Sequence, residues 1–515
     1  MEHQLLENTR KVGDVALFIA CLLEIILFYS PVNIVGCFMT IVSWVIFSRV
    51  FLHRSIILLH PFSFLVFLSM SMYRILPLYA TLLEFKPISY RFEMGEQTFL
   101  LELLLYIVSC LAFALVTHRR PSNNFITHTL YSIGFYKPLN ERQFWCLGFL
   151  GLLTQIYLQF VGKIETGDAF HKLIQTFVFA KYAPFIMVFP ILYNPFSKDV
   201  FKTNPKISFY ITFIILLCFT GNSRQALLEP IMLLVILTFL AIIKSKTSYQ
   251  QYISSKVPFI ALIAIGLIIP QLSDISDAML LVRGSRSEIS KQELFQRTLG
   301  LYLDKEELAQ QKKIYDFNQV VVNKNKEGWT EDYLDNFALN RYSNIRISDM
   351  TLYHANRVGF GNKNMQKDFI NGIIKLFPAP ILNFLQIKAD KDNIYSRGDY
   401  LYALSNQTPI FAGLRVTSHL ADGLVTWGYW YFFIQFILFY IHFWLIDCFT
   451  YYDKKRVVYS ICGLIYTYHF IGRFKNANGC SEEVGFIIRG FIQIIFIYYI
   501  CTKLVYIATD IYRRK

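Results

Sequence analysis

Long apolar runs separated by short polar connections make up most of the chain, and one long polar block interrupts them. Apolar stretches fall near residues 13–30, 32–48, 57–83, 98–117, 144–162, 174–194, 207–220, 226–243, 257–272, 428–447, 457–472 and 484–507. A hydrocarbon core about 30 Å thick takes roughly 20 helical residues, so most of these fit a membrane crossing. Those at 207–220 and 257–272 are short and are expected to pack inside the bundle or to be broken. The pattern predicts an all-α polytopic membrane protein of about 12 transmembrane helices, and no period of about 20 to 50 residues points to a repeat architecture.

The polar block divides the chain into three parts: a membrane bundle over 1–272, a large loop domain over 273–427, and a closing membrane segment over 428–515. The block holds 19 basic and 18 acidic side chains. That near balance argues for a folded extramembrane cap and against an acidic tail or a nucleic-acid-binding arm.

Composition agrees with the pattern. At 54% hydrophobic and 17% charged residues, the chain is too apolar for a soluble protein of its length. Nearly all of the net charge of +14 lies outside the block, much of it in short connections, which a positive-inside bias explains more simply than nucleic acid does. Arg10, Lys11, Arg49, Arg54, Arg119, Arg120, Lys137 and Arg142 begin one set of alternate loops, and Lys198, Lys202, Lys206, Lys244, Lys246, Lys454, Lys455, Arg513 and Arg514 continue it. The opposite short loops carry far fewer, among them Lys86, Arg91, Lys163, Lys172 and Arg473. Both termini are therefore expected in the cytoplasm and the block outside. Glu7, Arg10 and Lys11 precede a first apolar run that lacks a small-residue cleavage site, so that run is expected to remain as an uncleaved span. The nine cysteines have no paired or ligand-like spacing, and most sit in apolar segments, so neither a disulfide framework nor a zinc site is indicated.

Charges inside the spans stand out, because each costs about 2.5 to 3.5 kcal/mol at the bilayer centre. Glu24, Arg74, Glu102, Lys181, Glu229 and Arg489 are the cases. Arg74 and Glu102 lie in adjacent spans and are expected to pair for structural reasons.

Three basic constellations are candidates for chemistry. The turn Gly221-Asn222-Ser223-Arg224 sets an arginine at a helix start, a favourable seat for phosphate, although a snorkelling arginine reads the same way. Arg283 and Arg286 stand three apart just after the 257–272 run, where they fit either a lipid-linked diphosphate or an interfacial anchor. Arg415, His419 and Asp422 are spaced to share one helical face, on which Asp422 would orient His419 as a proton acceptor; an interfacial Arg-Asp pair beside a neutral histidine is the alternative. Within the block, Trp329, Arg341 and Arg346 offer an aromatic face and donors suited to sugars, a weaker signal because aromatics also build cores. Walker, dinucleotide-binding, HExxH and nucleophile-elbow motifs are absent, which disfavours soluble nucleotide chemistry.

About twelve spans, the short outer turn Thr220-Gly221-Asn222-Ser223-Arg224-Gln225, one large late outer loop, and the Gly/aromatic stretch Asp422-Gly423-Leu424-Val425-Thr426-Trp427-Gly428-Tyr429 resemble the O-antigen or oligosaccharide repeat-unit polymerases. The resemblance covers the whole chain in layout. It implies a bacterial inner-membrane glycosyltransferase that moves a growing glycan from undecaprenyl diphosphate onto the next lipid-linked repeat unit. Membrane lipids and a chain-length regulator protein would then be partners, and nucleic acid would not. Such a reaction needs positive charge on the departing diphosphate, from Arg224, Arg283, Arg286 or Arg415, and a base for the acceptor hydroxyl. His419, Asp422, Glu165 or Asp168 are the candidates for that base. No carboxylate spacing compels a divalent cation, so neither a metal nor another cofactor is expected. An O-antigen ligase shares the layout and the donor. A flippase or transporter of the same lipids is the rival from another class, but internal repeats or paired broken helices would be expected of it.

Overall fold

The computed structural model describes residues 4–118, 122–161, 174–202, 204–219, 224–245, 271, 274–282, 289, 291–324, 329, 333–377, 379–387, 395–411, 413, 415–453, 456–472 and 480–513. Among them, five helices are long and apolar enough to cross a membrane: Pro31–Phe51, Pro61–Leu82, Gly95–His118, His419–Asp447 and Cys480–Thr509. A shorter apolar helix covers Pro205–Cys218. The predominantly helical chain thus has the build of an all-α membrane protein.

Local chemistry sets several helix starts. Ser30 caps the second helix by accepting from Asn33 N at 3.1 Å, and Pro31 occupies a first-turn position where its missing N–H costs nothing. Asn140 and Gln143 form a reciprocal capping box at the start of Glu141–Ile156.

Two expected spans are not continuous helices. The 174–194 run is a 3₁₀ turn, Val178–Tyr182, followed by the short helices Ala183–Ile186 and Pro190–Tyr193. Pro184 and Pro190 each remove a backbone donor and restart the helix there. The 457–472 run opens instead as a strand, Arg456–Tyr459, paired antiparallel with Thr450–Asp453, and continues as the short helices Ile461–Ile465 and Thr467–Gly472. The tenth span starts earlier than its hydropathy suggests, at His419. The expected ninth span, apart from Gln271, lies outside the described residues.

Hydrogen bonds sort the connections onto two ends of the bundle. At one end the loop before Gly95–His118 grips the polar block: Asp349 accepts from Glu93 N at 2.7 Å, Met94 N at 2.9 Å and Thr98 Oγ1 at 2.9 Å. Lys86 bridges to Asp335 at 2.6 Å beside them. At the other end Arg54 donates to the carbonyls of Ile243 and Ser245, Asn123 to that of Tyr452, and Arg10 to that of Leu52. His60 Nδ1 and Asp447 Oδ2 lie 2.5 Å apart at this end as well. The connections named at the second end belong to the more basic set of alternate loops, and the 84–94 loop at the first end belongs to the other set.

Arg74 and Glu102 pair as expected. Arg74 Nη2 donates to Glu102 Oε2 at 2.7 Å and Nε to the Glu102 carbonyl at 3.1 Å, while Nη1 reaches the Met70 carbonyl at 2.7 Å. Ser348 of the polar block donates to the other carboxylate oxygen, so the pair also ties the block to the bundle. Lys181 donates to Gln155 Oε1 at 3.1 Å, and Glu24 accepts from Ile88 N at 2.8 Å. Lys181 also reaches Cys218 Sγ at 3.8 Å, whereas the second Glu24 oxygen, Oε2, is buried with no hydrogen-bond partner among the described residues.

Candidate functional site

Two helices of the polar block build the site against the tenth and last apolar helices. Lys363–Lys375 buries Met365 and Phe369, four residues apart on one face. Its start is tied down by Gly361 N and Asn362 N, which donate to the Leu424 and Val425 carbonyls at 3.1 and 2.7 Å. They meet the end of the tenth apolar helix's first section, where Gly428, at φ +60°, donates its own N–H to the Leu424 carbonyl and a 3₁₀ turn follows. The second helix, Arg397–Asn406, is capped reciprocally by Ser396 and Asp399.

Arg397 opens that helix and uses all five of its N–H donors. Nε and Nη2 donate to Asp422 Oδ1 at 2.9 and 2.5 Å, and Nη2 also reaches Thr426 Oγ1 at 2.7 Å. Nη1 donates to Asp368 Oδ2 at 2.8 Å and to the Met365 carbonyl at 2.9 Å. Burial opposes the charged guanidinium, and Asp422 foremost, with Asp368, more than offsets it, holding the group above its ordinary pKa. Asp422 is wholly buried, and its second oxygen accepts from Cys480 N at 3.0 Å and Cys480 Sγ at 3.4 Å. Asp368 accepts from the Tyr395 hydroxyl at 3.0 Å.

The turn carrying Arg397 packs backbone to backbone. A Cβ on Gly398 would stand 2.3 Å from the Arg415 carbonyl oxygen, so only glycine fits. Asp399 fixes the same approach by accepting from Gly413 N, Arg415 N and Arg415 Nη1 at 3.1, 3.2 and 3.0 Å. Burial alone would raise the Asp399 carboxyl, but bonds from Ser396 and Arg415 outweigh it and hold the group below its usual range.

A cavity of about 700 Å³ opens beside Arg397. Asp368, Lys375, Arg397, His469, Glu482 and Arg489 supply its charged and titratable lining. Phe179, Leu376, Ile494 and Ile497 form an apolar wall. Arg489 reaches the lining from a π-helical turn, Phe486–Gly490, inside the last apolar helix. Such one-turn bulges re-aim side chains and recur at functional sites. The arrangement suits a ligand with an anionic head and an apolar tail: planar guanidinium and ammonium donors for phosphate, and aliphatic side chains for a lipid chain.

The residues singled out from the sequence divide. Asp422 is in the site, as the buried partner of Arg397. Arg415 precedes the helix that begins at His419, pairs with Asp399, and lies 4.1 Å from the centre of the Tyr402 ring. The shared helical face expected for Arg415, His419 and Asp422 is therefore left to His419 and Asp422, because Ser418 caps the helix after Arg415 has passed. The Asp422 oxygens are taken by Arg397 and Cys480. His419 is buried and is not among the cavity-lining side chains. Trp329 is buried against His354 and Tyr402, and Arg346 is buried near the Tyr90 carbonyl, so both pack within the block, while Arg341 is exposed. Arg224 is the first residue of the helix Arg224–Lys244. Its side chain, together with Arg283, Arg286, Glu165 and Asp168, lies outside the described residues.

Sequence reasoning missed Arg397, Lys375, Asp368 and His469. One signal was present: Ser396-Arg397-Gly398-Asp399 reads as a capped helix start with a basic residue at its first position. The class that the fold and cavity define is an all-α membrane protein with an amphipathic cavity, lined by charges of both signs, where its polar block meets the apolar helices. No family model matches the chain, and neither a curated protein nor a solved structure matches it.

Proposed function

We propose that the chain polymerises polyprenyl-diphosphate-linked oligosaccharide repeat units, transferring the growing glycan to the next lipid-linked unit with release of the polyprenyl diphosphate. The supporting observation is the cavity that joins Arg397, Arg489 and Lys375 to the apolar wall of Ile494 and Ile497. Departure of a diphosphate requires fixed positive charge, and these side chains supply it. In this reading the chain crosses a bacterial inner membrane about twelve times, with the broken segments at 174–194 and 457–472 counted as crossings. The polar block and cavity then face the periplasm, and both termini face the cytoplasm.

Purified protein given a radiolabelled lipid-linked repeat unit is expected to lengthen the glycan and to release polyprenyl diphosphate in step. Movement of intact lipid-linked units across a vesicle without that release would make the protein a transporter and end the polymerase reading. Orientation has its own check. In a variant without the exposed Cys146, a cysteine placed at Lys363 is expected to react with an impermeant maleimide in intact spheroplasts, and one at Lys137 only after lysis. The reverse pattern would put the cavity on the wrong face for this reaction.

A further inference from the structure

Arg397 is held by two carboxylates of different character. Asp422 is closed in, with no side-chain exposure, and is further bonded to Cys480. Asp368 lies on the cavity lining with 13% of its side chain exposed, and it meets Arg397 through Nη1 alone. One buried carboxylate already balances the guanidinium. The second makes the Arg397 cluster formally anionic on the wall of a cavity that also carries Lys375, Arg489 and Glu482, and an incoming anion gains the Nη1 donor by displacing Asp368 from it.

We propose that Asp368 is an internal stand-in for the substrate's diphosphate at Arg397, and that diphosphate binding frees Asp368 to act as the base for the acceptor sugar. This rests on the glycan-transfer reading above. A phosphate oxygen takes the Nη1 donor, while Asp422, as a positioning residue, keeps the rest of the guanidinium in place through Nε and Nη2. Once the Nη1 contact is given up, the Asp368 oxygen it occupied is free to accept the acceptor hydroxyl's proton. In the transfer step the acceptor hydroxyl proton passes to an Asp368 oxygen, and the hydroxyl oxygen forms the bond to the donor's anomeric carbon. The bond from that carbon to the diphosphate oxygen breaks. Its electron pair leaves on the diphosphate, where Arg397, Lys375 and Arg489 neutralise it. Tyr395, donating to the other Asp368 oxygen at 3.0 Å, keeps the carboxylate on the cavity wall during the exchange.

The exchange gives binding and turnover opposite signs. Asp368→Asn removes the competing anion and the base together, so geranyl diphosphate should bind the purified protein about tenfold more tightly by titration calorimetry. Transfer from the labelled lipid-linked unit should fall by about 10² to 10⁴. Asp368→Glu, which keeps the charge, should bind the probe about as the wild type does and retain part of the turnover. Weaker binding by Asp368→Asn, or normal turnover in it, would overturn the exchange while leaving the polymerase reading intact, provided the wild type binds and polymerises. If the wild type binds no geranyl diphosphate, the cavity is not a prenyl-diphosphate site, and both readings fall.

Discussion

Arg397→Ala is expected to abolish long glycan, with transfer reduced by at least about 10²-fold, the usual cost of removing a group that stabilises developing charge. The same change should lower the thermal unfolding midpoint, because Asp422, wholly buried, would lose its ionic partner. Removing one member of a buried pair costs about 3 to 5 kcal/mol. The two effects separate in the double variant Arg397→Ala/Asp422→Asn, in which the orphaned charge is gone. That protein should regain much of the lost stability and none of the activity. Arg397→Lys should restore only part of the transfer, since an ammonium cannot reproduce five donors in a planar fork. The readouts are the glycan ladder from labelled substrate and an unfolding curve in detergent. A folded Arg397→Ala protein with a normal ladder would remove this residue from the chemistry.

Glu102→Ala should be the most destabilising single change in the membrane bundle. Arg74 is buried and spends its donors on Glu102 and on the carbonyls of Glu102 and Met70. Without the carboxylate it keeps its charge and loses its counter-ion, at a cost of about 3 to 5 kcal/mol. Ser348 would lose its carboxylate acceptor at the same time and be left with the Tyr73 hydroxyl at 3.0 Å, loosening the polar block from the helix Gly95–His118. Replacing both members, as Arg74→Met/Glu102→Leu, should recover most of the midpoint, because an apolar pair of similar volume carries no desolvation penalty. An unchanged midpoint in Glu102→Ala would show that the pair contributes nothing to the fold.

The Arg74–Glu102 bond was legible because intramembrane charge is costly, and two opposite charges in neighbouring apolar runs have few other ways to be satisfied. The breaks at 174–194 were half legible: Pro184 and Pro190 stand in the sequence, yet hydropathy counts them inside one apolar run. Asp422 was singled out as the residue that would orient His419, and its oxygens are instead held by Arg397 and Cys480. Arg397 was not singled out, because helical spacing compares residues three or four apart, and Arg397 lies 25 positions earlier in another helix.

The helical class and the Arg74–Glu102 pair were legible in the chain's own order of residues. Each of these follows from local apolar period or from the cost of a charge in lipid. Only the tertiary structure decided which arginines meet at a cavity. Its wall is assembled from 175–179, 368–376, 395–397, 466–469 and 481–497, segments that come together through long-range packing and backbone bonds such as Gly361 to Leu424. Spacing along the chain carries no information about encounters of that kind, because they depend on how separate helices dock.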